Sequence, residues 1–146
     1  MSLYRPPITV LGATQYERQT TASLDQTPSQ DQWYTILDTK TNVSVFGIRI
    51  WQWNGNSAAK SVRLRLTIDT ETILSSLTSI AHNTHYFGVI NAGGNLGIGA
   101  SELNAAMYGA IFAKSFKAEI QFADTPGTGQ KLYADIPYAK LKATTL

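Results

Sequence analysis

His82 and His85 are the only imidazoles in this chain of 146 residues. A His-x-x-His pair can share a metal when both side chains stand on one helical turn. No acidic residue completes a zinc-protease helix here, and a β-prone run follows at Tyr86, so the pair reads as loop histidines. Asp69 and Glu71 flank Thr70. Two carboxylates do acid–base work only at a suitable separation and desolvation; at a strand end they read as turn acids. The stretch NAGGNLGIGASE, residues 91–102, has the glycines of a phosphate loop. Its order, Gly94-x-x-Gly97-x-Gly99, reverses the nucleotide fingerprint, and no crossover helix or Lys-Ser/Thr follows. It reads as a glycine loop at a barrel rim. Asn42–Val43–Ser44 matches a glycosylation acceptor, a three-residue pattern that arises often by chance. There is no cysteine, which removes thiolate metal sites, disulfides and a cysteine nucleophile. No nucleophile elbow, Walker sequence or triad spacing is present. The expectation is a protein that is not an enzyme, with no catalytic, metal or cofactor-binding residue and no cofactor.

Arg49, Arg63 and Arg65 fall near Trp51 and Trp53, and the five are expected to share a sheet face. Arginine beside exposed aromatics stacks on bases or sugars. The same residue types dominate protein interfaces. The formal net charge is only +2, which favours a protein interface over nucleic acid. No apolar stretch approaches the roughly 18 residues of a membrane span, and the N-terminus MSLYRPPITV lacks the pattern of a secretion signal.

The elements that position these residues are strands. Charged residues are 15% of the chain, against about 25% in an ordinary soluble domain, with Thr, Ser, Gln and Asn supplying the polarity. All five prolines lie outside residues 33–122, and proline is excluded from central strands. The reading is an N-terminal arm at 1–32, a β body at 33–123, and a C-terminal strand or arm at 124–146. A first strand near Ile8–Leu11 with a loop is the alternative for the N-terminal region. Within the body, 33–38 is a strand. Residues 43–53 form another, with Phe46, Ile48 and Ile50 on one face and Val45, Gly47, Arg49, Trp51 and Trp53 on the other. Ser61–Asp69 alternates without interruption, placing Val62, Leu64, Leu66 and Ile68 on a core face. It is expected to pair with 43–53 as a long-looped hairpin. Residues 71–80 are ambiguous between helix and strand. Residues 86–91, 110–113 and 116–122 are further strands, and 101–107 could make one helical turn. The fold class is all-β, an antiparallel sandwich or barrel of jelly-roll or tulip-like kind, with extended N- and C-terminal arms.

The succession WYTILD, VSVFGIRIW and SVRLRLTIDTETI, residues 33–73, resembles small β-rich virion proteins of tailed bacteriophages, in which a strand ending in "TIDG" follows one containing "GI". Thr70 stands where those proteins carry glycine. Within that group a β-domain of 16.0 kDa with arms is most like a capsid decoration, or cement, protein. The resemblance implies a viral structural protein, made in the host cytoplasm and located on the capsid exterior. It would bind the major capsid protein as a homotrimer and stabilise the shell through its arms, with no nucleic acid or membrane partner. Leu3, Tyr4, Ile8, Val10, Leu11, Trp51, Trp53, Tyr138, Leu141 and Leu146 would form the interfaces. Two other classes stay open. One is a tail-fibre or other carbohydrate-binding recognition domain, displaying Trp51, Trp53 and the glycine loop. The other is a jelly-roll enzyme using Asp69, Glu71 or Glu102.

Overall fold

The computed structural model describes residues 14–16, 18–91, 93–100 and 111–143. Among them every regular element is a strand. In chain order these are β1 (Thr14–Tyr16), β2 (Thr20–Gln26), β3 (Gln32–Thr39), β4 (Val43–Val45), β5 (Arg49–Trp53), β6 (Lys60–Ile68) and β7 (Glu71–Leu74). Then follow β8 (Thr78–Ile80), β9 (Tyr86–Ile90), β10 (Leu96–Gly99), β11 (Ile111–Ala113), β12 (Phe116–Phe122) and β13 (Lys131–Ala143). The fold is an all-β assembly of two antiparallel sheets, as the alternation patterns imply.

The first sheet is organised around β13. Its one edge pairs β5 through Lys131–Asp135 and then β4 through Tyr138–Lys140. Its other edge pairs β2 through Leu132–Tyr138 and then β1 through Leu141–Ala143. Beyond β5 lie β9 and β10; beyond β4 lies β11. The second sheet runs β3-β12-β6, with β7 and β8 sharing the far edge of β6. Facing apolar rows form one core: Leu64, Leu66, Ile120 and Phe122 from the second sheet meet Ile48, Ile50, Leu132, Ala134 and Ile136 from the first. Leu64 and Leu66 are fully buried, as expected, while Ile68 is only partly so.

Residues 131–143 are therefore the central strand of a sheet, not an arm. The strand alternative for this region is the one observed. Residues 20–26, placed in the N-terminal arm, are an edge strand on β13. Leu3, Tyr4, Ile8, Val10, Leu11 and Leu146, the expected first strand at 8–11 and the helical turn at 101–107 lie outside the described residues. Tyr138 is partly buried against the core cluster, and Leu141 is half-buried opposite Tyr16.

Proline misled because its position relative to its neighbours matters more than its presence. Pro137 lies inside β13, but at the point where β4 and β5 are interrupted at Phe46–Ile48. Its carbonyl accepts a hydrogen bond from the Phe46 N–H at 2.9 Å. Its nitrogen faces the same interruption, so no ladder acceptor is left without a donor there. The interruption also shifts the phase of 43–53. Val43 and Val45 point into the core before it, Ile48 and Ile50 after it. Phe46, expected to share a face with Ile48 and Ile50, is instead 41% exposed while they are buried, and Val45, expected on the opposite face from them, is buried with them. A one-residue slip exchanges the faces of a strand.

The expected hairpin of 43–53 with 61–69 does not form. β5 and β6 belong to different sheets, and residues 54–59 cross the roughly 10 Å between the layers. Buried amides hold that crossing. The Gln52 side chain donates to the carbonyls of Ala58 and Ile80 and accepts from Asn54 and Gln130. The Asn54 carboxamide oxygen accepts from the N–H groups of Asn56 and Ala58. Residues 71–80 are strand: Ser75 separates β7 from β8 and exchanges hydrogen bonds with Leu64 of β6.

Candidate functional site

The outer face of the first sheet carries the aromatic residues singled out above. The buried residues Ile50, Gln52, Leu132 and Ala134 point inward, so their strand neighbours point outward. These align in three cross-strand rows. The first is Ser23, Asp135, Arg49 and Phe87. The second is Asp25, Tyr133 and Trp51, continued by His85. The third joins Lys131 to Trp53, with His82 beyond.

Ring stacking and ion pairs tie the rows together. Trp51 and Tyr133 stack with centroids 5.2 Å apart and planes 18° from parallel. His85 meets Trp51 edge-on at 4.7 Å. The Arg49 guanidinium lies 5.1 Å from the Trp51 ring and pairs with Asp135, which also accepts from the Ser23 hydroxyl. Lys131 pairs with Asp25 at 2.7 Å, and the hydrogen bond from its ammonium to Asp25 raises its pKa. Arg49 and Lys131 are thus each matched to a carboxylate, which leaves the rings as the distinctive chemistry of this face. Trp53, 42% exposed, is its most accessible indole. Gly129 approaches it so closely that a Cβ there would lie 3.3 Å from the ring, and Gly129 has a φ of +60°. His82 holds a defined tautomer: its Nδ1 accepts the Asn54 N–H at 3.2 Å, which leaves the ring proton of the neutral form on Nε2.

Arg63 and Arg65, expected beside these tryptophans, stand on the other sheet. Strand β6 lies in the opposite layer, so its outward side chains face away from Trp51 and Trp53. Arg65 lies 4.0 Å from the centre of the Trp33 ring and donates twice to Glu119, at 2.9 Å each. Those hydrogen bonds hold the Glu119 carboxyl below its usual range, against a smaller opposing effect of burial. Arg63 lies across from Gln121, and its buried Nε has no hydrogen-bond partner among the described residues. Trp33 and Glu119 were missed as a pair. Their register is legible only once β3, β12 and β6 are known to be adjacent.

His82 and His85 contact indoles, and no group of three or more potential metal ligands occurs among the described residues. Asp69 closes a turn: at a φ of +56° its carboxylate accepts the N–H groups of Lys114 and Ser115. Glu71 is exposed at the start of β7, and Glu102 lies outside the described residues. Val43 and Ser44 of the glycosylation pattern are fully buried. Part of the glycine loop is strand β10, with Gly94 at a φ of +81° in the preceding turn. Searches of protein-family models, curated proteins and solved structures find no match to this chain. No helix among the described residues is long and apolar enough to cross a membrane.

Proposed function

We propose that this chain is a virion structural protein of the capsid-decoration kind, binding the outer surface of a phage head as a trimer and bracing it. The observation that carries the reading is the exposed Trp53, seated beside a lattice of stacked rings and paired charges on a sheet. Rigid aromatic anchors with satisfied neighbours are what protein interfaces use as hot spots. In this reading the chain performs no chemistry. The arm role is now confined to the segment before β1, because 20–26 and 131–143 are strands of the sheet. Co-sedimentation with purified heads tests the proposal. The native protein should pellet with heads, and Trp53→Ala should weaken binding at least tenfold while leaving the melting curve in place. A native protein that stays in the supernatant at every concentration would overturn it.

One observation favours a second reading, glycan recognition. Aromatic side chains with neutralised charges around them also suit the apolar faces of sugars, and Trp51, Tyr133 and Trp53 provide three. Saturable binding to host surface polysaccharide, lost in Trp53→Ala, with no binding to heads, would select it.

A further inference from the structure

Among the described residues the sandwich has an open seam. On one side of the molecule the first sheet ends at β10 and the second at β7. Between them runs a groove lined by Ile73, Leu74, Ser76, Asn95 and Leu96. It lies beside a cavity of about 250 Å³ lined by Ile48, Leu66, Ile90 and Leu96, among others. Leu74 on the groove and Leu77 just after it are 51% and 50% exposed.

Among the described residues, the edge strand β10 at this seam is unguarded. Natural edges are blunted with charges, prolines or bulges. Among the other edges, β3 carries Asp38 and faces a bulge at Ala118/Glu119, β2 carries Asp25 and β7 opens with Glu71, whereas β1, β8 and β11 carry no charge and are only three residues long. Residues 91–100 contain no charge and no proline. Leu96 and Ile98 of β10 turn to the core, leaving Gly97 and Gly99 as its outward positions. Neither glycine has a positive φ; a Cβ on Gly97 would meet nothing nearer than 4.0 Å, and one on Gly99 nothing within 4 Å. The chain's own packing therefore does not require glycine at either place.

We propose that this seam receives the N-terminal segment of a second copy of the chain, with Ile8–Leu11 adding as a strand to β10. The segment matches the groove in chemistry. Residues 6–16 carry no charge, and Ile8, Thr9, Val10 and Leu11 favour extended structure. Ile8 and Val10 would share one face, able to cover Leu96 and Ile73. The donor must come from another copy because of reach. Residue 14 is fixed in β1 against Ala143, on the edge of β13 opposite to β5. From that lane to β10 there are four strand spacings, about 19 Å along the sheet, or about 12 Å even if the sheet curled into a half-cylinder. The three residue steps from 14 back to 11 span at most about 11 Å. Main-chain hydrogen bonds would give affinity, and the alternate side chains register.

This inference deepens the arm reading above, and its test reads contact between copies, not binding to heads. The native chain lacks cysteine, so disulfide trapping is clean. In this pairing Thr9 falls between Ile8 and Val10, on the same outward face as Gly97, so Thr9→Cys and Gly97→Cys would be prepared as separate full-length chains differing in mass by a tag, unfolded together, refolded and oxidised. The mixed disulfide should exceed the sum of the two like-with-like dimers at least fivefold. A statistical mixture, or no cross-link, would overturn the proposal. In the double variant Thr9→Cys/Gly97→Cys, covalent oligomers are expected, and a closed monomer would overturn it. Unchanged thermal unfolding of reduced Gly97→Cys shows that the edge is intact, as the open space at that position predicts. Heads that fail to bind a cross-linking protein would count against capsid decoration alone.

Discussion

Single residues divide this molecule into two electrostatic regimes. On the second sheet, Glu119 is nearly buried and bonded twice to Arg65. Its carboxyl is easier to ionise in the folded chain than in the unfolded one. A depressed folded pKa contributes stability that is present above the unfolded value and lost as pH falls through the folded one. Acid should therefore destabilise the native protein progressively below about pH 4.5. Glu119→Gln should be less stable at pH 7 by about 1–3 kcal/mol and should show a shallower acid limb, measured by urea unfolding from pH 2 to 7. A second residue-scale prediction concerns Gln52. Gln52→Leu fills the space but leaves the donors of Asn54 and Gln130 and the carbonyls of Ala58 and Ile80 without that partner. A loss of about 2–4 kcal/mol is expected, because buried groups left unpaired cost more than a bond contributes. Chemical denaturation reads it, and wild-type stability in the variant would mean that the network is incidental. None of these partnerships was legible beforehand. Arg65 and Glu119 are 54 positions apart, and period-2 alternation marks a face without naming the strand beside it.

At the scale of elements, alternation was a sound guide where it was unbroken and a poor one where a single residue interrupted it. Strand β6 lies within one residue of its expected limits because nothing breaks its period. The run 43–53 looked continuous, yet the break at Phe46–Ile48 reverses its faces. Ser75 similarly turns 71–80 into two short strands. Pairing was harder still: two amphipathic strands joined by a loop suit a hairpin and a layer crossing equally well. Leu66→Ala tests the element that was read most clearly. Leu66 is fully buried between the layers, so the substitution should cost about 2–5 kcal/mol, seen as a lowered denaturation midpoint with an unchanged slope. Gly129→Ala tests a turn. At a φ of +60° with the Trp53 ring against it, the change should cost about 1–2 kcal/mol and alter Trp53 fluorescence. A variant with native stability and an unaltered emission spectrum would refute that account of the turn.

For the whole molecule, the sheets divide labour between a shared core and two unlike outer surfaces. β13 links the divisions drawn on the sequence, because it pairs with β2 on one edge and with β4 and β5 on the other, and the C-terminal strand therefore cannot be spared. Removal of residues 131–146 should abolish folding, whereas the aromatic face should tolerate Trp53→Ala with little loss of stability. The decisive measurement is a three-dimensional reconstruction of purified phage heads with and without added protein. The account predicts additional density on the outer shell at a symmetry-related set of sites, three copies of a 16.0 kDa body at each, with the Trp53 face toward the major capsid protein and density joining neighbouring copies at β10. Identical maps with and without saturating protein would contradict it.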